Sequence, residues 1–186
     1  MMGITMKKIA ASLLLAALCL SLTAPNARAE RLEEGTVEIG GNLMYDFDTP
    51  FGSELKLGLL GGYHVAYGWL VGGEFQVDRD DYTKTYALTA MVERSFEIGE
   101  ADSVTPFIPY VGAGLGFAKA SYKGMSDDAS AILLNLKGGV KLMLTGDLAL
   151  DLGLYMNFAT DDVYYDGDGP SRTDISIRLG LRTFLF

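Results

Sequence analysis

The chain has 186 residues, a length that suits one domain with a removable leader. Its 15 Lys+Arg against 24 Asp+Glu give a formal charge of −9, an acidic balance that argues against nucleic acid as a partner. A single cysteine and a single histidine exclude a disulfide framework, a cysteine-based zinc site and a multi-histidine metal centre, and 49% hydrophobic residues exclude a disordered tail.

Residues 1-29 have the three regions of a secretory signal peptide. Lys7 and Lys8 supply the positive start, Ile9 to Leu22 the apolar stretch, and Ala27, Arg28 and Ala29 the small-residue cleavage site. The apolar run is short for a membrane-spanning helix. Cys19 lies within it, but Leu18 stands where a lipoprotein signal requires a small residue. Cleavage after Ala29 leaves residues 30-186 as one domain. The leader holds Lys7, Lys8, Arg28 and no acid, so the charge moves from −9 to −12 on its removal. Export of a thiol-free domain fits a bacterial envelope protein.

Period-two alternation dominates the rest. It is plainest in 147-158, where Leu148, Leu150, Leu152, Leu154, Met156 and Phe158 share one face and Asp147, Asp151 and Asn157 the other. A strand separates such sets; a helix scatters them. Eight segments carry this pattern: 36-47, 54-66, 69-78, 83-96, 107-118, 131-144, 147-158 and 174-186. Tyr67-Gly68 and Thr145-Gly146 mark tight links, and 99-106 a longer one. The segments 46-53, 79-84, 121-130 and 160-173 are polar and mostly larger. Short turns at one end and longer loops at the other predict an all-β fold, an eight-stranded antiparallel up-and-down transmembrane β-barrel, with the longer loops outside.

Alternation alone does not say which face is inside. The polar face carries Glu38, Lys56, Glu74, Glu93, Lys137, Lys141, Asp151, Arg178 and Arg182 among many glycines, which suits a crowded eight-stranded interior. The apolar faces are long enough for a tilted span. Tyr45, Phe47, Trp69, Phe96, Phe107, Phe117 and Phe158 gather near strand ends, as an interfacial aromatic girdle requires. Lipid is therefore expected outside and the charges in the lumen. Arg94 falls on the apolar face, where only a membrane-water boundary tolerates it.

On these features the chain resembles small bacterial outer-membrane barrels of the OmpA-transmembrane-domain and OmpX type. The resemblance covers 35-186. It rests on the run from Pro109 to Phe117, on Tyr63-His64-Val65 before a tight turn, and on the aromatic end Phe184-Leu185-Phe186. It implies Gram-negative outer-membrane lipid and lipopolysaccharide as surroundings, the barrel-assembly machinery as a partner during insertion, and a surface ligand of unspecified chemistry. Phe184 and Phe186 would form the assembly signal. Arg178, Gly180 and Arg182 break that signal's apolar phase, so a bulge or an altered exit is expected to shift the register at Phe184. The family match fixes architecture more than role.

Buried charges must be paired. Counted from the periplasmic ends, Glu38, Glu93, Lys141, Asp151 and Arg182 fall at one depth, with Glu74, Lys137 and Arg178 nearer the middle. Four acids against four bases predict a salt-bridge plug. His64 has Val65 and Ala66 after it and so lacks a local His-x-Ser arrangement; a polar residue near the periplasmic turn is expected rather than a catalytic base. Asp161, Asp162, Asp166 and Asp168 offer oxygen ligands for calcium but no terminal Glu at EF-hand spacing, so a solvated loop is expected, with Tyr164 and Tyr165 available to a partner or to lipid headgroups. No catalytic residue, cofactor or metal is expected. The sequence points to a non-enzymatic outer-membrane barrel with a charge-plugged lumen, serving envelope integrity or surface interaction through its loops. A narrow porin-like channel for ions or small solutes is the alternative, and a lipid-modifying enzyme the third reading.

Overall fold

The computed structural model describes residues 32-49, 52-79, 83-96, 107-122, 128-166 and 169-186; residues 1-31 and parts of the longer loops lie outside them. Eight long strands cross the molecule: β1 (Val37–Thr49), β2 (Gly52–Ala66), β3 (Trp69–Arg79), β4 (Thr83–Ser95), β5 (Phe107–Tyr122), β6 (Ala129–Met143), β7 (Leu148–Ala159) and β10 (Thr173–Leu185). A short hairpin, β8 (Tyr164–Asp166) and β9 (Gly169–Ser171), interrupts the last long loop. The eight pair antiparallel in the closed order β1-β10-β7-β6-β5-β4-β3-β2. Closure satisfies every ladder and leaves no edge, as a sheet in hydrocarbon must.

Register fixes the barrel's shape. A path of directly paired residues runs Ile39, Gly61, Gly73, Ala90, Leu115, Leu134, Phe158, Thr173. It arrives on β10 ten residues from Thr183, the residue that Ile39 itself pairs. For eight strands a shear of ten tilts them by about 40° and leaves a bore that side chains fill.

The two faces differ sharply. On β10, Ile177 is 67% exposed while its neighbour Arg178 is 1% exposed. Leu59, Leu88, Leu115 and Ile132 likewise point outward. This is an inside-out protein, with aliphatic residues facing lipid and polar ones inside. At the short-turn end, the β2–β3 link puts Gly68 at φ +68, a conformation costly for other residues. Arg94 donates to the Tyr67 carbonyl there and lies 5.2 Å from the Trp69 ring centre, so its charge clamps the turn. The Thr145-Gly146 link is a four-residue bend, 144-147, closed by Thr145 Oγ1 on Asp147 Oδ1 at 2.6 Å.

The lumen is layered. Leu32, Ile108, Met143, Ala149 and Phe184 form an apolar floor at the short-turn end. Charges fill the middle. At the loop end, inward-facing Ala87, Ala118, Ala120 and Ala131 with Leu133 leave a shallow hollow, into which Val163 and Tyr164 fold. Thr85 Oγ1 donates to the Val163 carbonyl at 2.9 Å, and the Tyr122 hydroxyl to the Asp162 carbonyl at 2.6 Å. Burial, then Asp174 and Asp78, push the Tyr164 phenol above its ordinary pKa.

Candidate functional site

Strand alternation delivers the charges inward from six strands, and the tilt brings distant ones together. Arg182 on β10 is the hub. Its guanidinium lies 2.7 Å from Glu38 on β1, 3.2 Å from Glu93 on β4 and 2.8 Å from Asp151 on β7. Lys141 on β6 shares two of these carboxylates, at 3.0 Å from Glu38 and 2.7 Å from Glu93. Lys137 joins Glu93 to the layer above, at 3.2 Å from Glu93 and 3.5 Å from Glu74. Arg178 continues the stack to Glu74 and Asp174, each at 3.8 Å. All nine groups are buried or nearly so. Each charge faces at least one opposite charge, the condition under which ions survive away from water.

Aromatic rings shape the bore around these ions. The Tyr110 hydroxyl donates to Asp151 Oδ1 at 2.7 Å, and its ring lies 4.9 Å from the Arg182 guanidinium. Tyr155 lies 4.4 Å from the guanidinium of Arg178. The inward glycines make the room: a Cβ at Gly153 would stand 2.5 Å from the Tyr110 hydroxyl, and one at Gly139, its cross-strand partner, 2.8 Å. Asn42 and Gln76 each donate to Glu74 Oε1 at 3.1 Å.

Lys56 lies toward the loop end, where it pairs with Glu54 at 3.1 Å and with Asp174, which links it to Arg178 and the rest of the stack. His64 is buried at the short-turn end with Nε2 3.1 Å from Glu38 Oε2, which ties it to the hub. Tyr110, Tyr155, Asn42 and Asp174 belong to the site and were not singled out from sequence. Their only sequence signal is membership of the inward phase.

Three expectations are corrected. No register shift occurs between β1 and β10: the pairing runs unbroken from Val37 with Leu185 to Leu43 with Leu179. Phe184 therefore stays in phase with Arg182 and packs inward on the floor, while Phe186 is exposed beyond the strand. The 160-173 segment is not simply a solvated loop, because Val163 and Tyr164 are buried and part of it forms β8–β9. Tyr164 thus faces the mouth, not lipid headgroups. Of the aromatic set, Trp69, Phe96, Phe107, Phe117 and Phe158 are outward and exposed; the side chains of Tyr45 and Phe47 lie outside the described residues. Gly167 and Asp168, with the side chains of Tyr165 and Asp166, also lie outside them. Among the described residues no group of acids, histidines or cysteines is arranged to hold a metal ion.

Inside-out faces, a sealed eight-stranded ring and an ion-paired interior define a transmembrane β-barrel. The outer membrane protein beta-barrel domain matches residues 12–182, and the chain belongs to that family of outer-membrane barrels. Among solved structures it is similar to the Neisserial surface protein A, at 18% identity and TM-score 0.57, covering 80% of this chain and 95% of that one. The N-terminal β-barrel domain of Pseudomonas aeruginosa OprF is similar at 15% identity and TM-score 0.59, covering 84% and 100%. The Yersinia pestis attachment invasion locus protein, solved with the heparin analogue sucrose octasulfate, gives 16% identity and TM-score 0.51, covering 82% and 99%. At these identities the likeness concerns the fold alone. None of the curated proteins matches the chain.

Proposed function

We propose that this protein is a non-enzymatic outer-membrane barrel whose lumen is closed by charge pairs and whose role lies at the cell surface and in envelope integrity. The observation that carries the reading is the Arg182 hub, which ties β1, β4 and β7 across the bore. An open pore would require these groups to separate, and each stranded charge would cost several kcal/mol. A sealed lumen leaves the loops and the lipid-facing wall as the working surfaces. The sulfated-saccharide complex of the similar Yersinia pestis barrel is in keeping with loop-borne recognition. Residues 1-29 are proposed as the cleaved leader, and the last strand as the segment that the assembly machinery engages.

A narrow water or ion path is the second reading. Unpartnered buried atoms favour it: His64 Nδ1, Asn42 Oδ1, Asp78 Oδ1 and the Tyr164 hydroxyl have no hydrogen-bond partner among the described residues. A deletion strain separates the two. The surface and integrity reading expects raised detergent sensitivity or lost adhesion to sulfated glycan, with small-solute uptake unchanged. Normal sensitivity and adhesion together with slowed solute uptake would favour the channel.

A further inference from the structure

The outer wall carries very few charges, and three of them are bases on adjacent strands at one height. Arg79 ends β3, Lys84 is the second residue of β4 and Lys119 lies near the loop end of β5; all three are exposed. Arg79 pairs directly with Lys84 across the ladder. Lys119 pairs with Tyr86, two residues along the same face from Lys84. Directly opposed strand residues have Cβ atoms about 5 Å apart and diagonal ones about 7-8 Å, so the bases form one cluster. Like charges set opposite each other repel, so the cluster favours an anion. Among the described residues no carboxylate pairs with Arg79 or Lys84, and only Asp128 meets Lys119, in an exposed contact at 2.7 Å. At the loop ends of β6, β7 and β10 the described outward residues are the neutral Ser130, Thr160 and Thr173.

The order of chemistry down the wall is equally specific. Lys84 Nζ stands 4.8 Å from the Tyr86 ring centre, and Tyr86 stacks on Phe75 at 6.4 Å. Below them Leu88, Leu115 and Phe117 are exposed to hydrocarbon. Base, aromatic, then aliphatic is the sequence of layers that an anionic lipid presents: charged head, interface, acyl chains. The exported chain carries −12 and would be repelled by a phosphate-rich leaflet except through such a patch.

We propose that Arg79, Lys84 and Lys119 form a docking surface for the phosphate groups of lipopolysaccharide, with its acyl chains laid on Leu88, Leu115 and Phe117. The proposal rests on the reading that the longer loops face outside. It does not depend on whether the lumen conducts.

The test uses the mature chain refolded in detergent, with lipid A binding measured by native mass spectrometry. The probes are bisphosphorylated lipid A, its fully dephosphorylated form, and phosphatidylglycerol as a phosphate lipid of different shape. Lys/Arg residues beside an anionic leaflet contribute about fivefold in affinity each, so Arg79→Gln/Lys84→Gln/Lys119→Gln should weaken bisphosphorylated lipid A binding by roughly 100-fold. Arg172→Gln, an exposed base on the far loop, should leave it within about twofold. Migration as a folded band without heating verifies that each variant retains the barrel. Equal binding of dephosphorylated lipid A, equal or tighter binding of phosphatidylglycerol, or equal weakening by Arg172→Gln would overturn the proposal.

Discussion

Arg182 holds three carboxylates from three strands within 3.2 Å. Arg182→Ala strands Glu38, Glu93 and Asp151, with Lys141 left to neutralise two of them. Breaking a buried ion network by removing one partner costs about 3-5 kcal/mol. The loss should be read by urea unfolding of the refolded barrel. Arg172→Ala breaks only an exposed pair with Asp162 and should cost less than about 1 kcal/mol. Equal losses would mean that the luminal pairs carry no special weight. On the opposite face, Leu152 is exposed to hydrocarbon midway along β7. Leu152→Arg should cost about 2-4 kcal/mol in lipid vesicles, the midplane penalty for such barrels. A negligible cost would contradict the inside-out assignment.

At the scale of elements, the β8–β9 segment behaves as a roof. Val163 is fully buried among alanines from β4, β5 and β6, and two side-chain donors hold the backbone behind it. Val163→Asp should unseat the segment while leaving the strands paired. Limited proteolysis of the folded barrel should then cut within 160-173 at least about tenfold faster than in the wild type, because cleavage follows the population of the open loop. An unchanged rate would show that Val163 does not anchor the roof. The long strands were legible because lipid outside and a tight polar bore inside enforce strict alternation, as in Leu148 to Phe158. The roof was not, because Asp161 and Asp162 make the segment look solvated and its hollow exists only when Ala87, Ala118 and Ala131 converge. The pairing of Lys56 with Asp174 was hidden for a related reason. A shear of ten offsets strands, so counting residues from strand ends misjudges which side chains share a depth. Phe184 illustrates the converse: its inward phase follows from Arg178 and Arg182, yet an aromatic terminus invites the assumption of a lipid-facing residue.

Across the whole molecule, an apolar floor, an ion-paired stack and an apolar roof lie in series along one bore. With short turns at one end and long loops at the other, the loop end should be the outer one. A cysteine at exposed Arg172 should react with an impermeant thiol reagent on intact cells, and one at exposed Thr145 should not; Cys19, the sole native cysteine, lies in the segment proposed as the leader. The opposite pattern would invert the topology. The closed lumen is the central claim, and single-channel recording in a planar bilayer tests it most directly. The wild-type barrel should insert and remain electrically silent, while Arg182→Ala should produce brief openings as the hub loosens. A steady open conductance in most wild-type insertions would contradict the closed lumen and make the protein a channel.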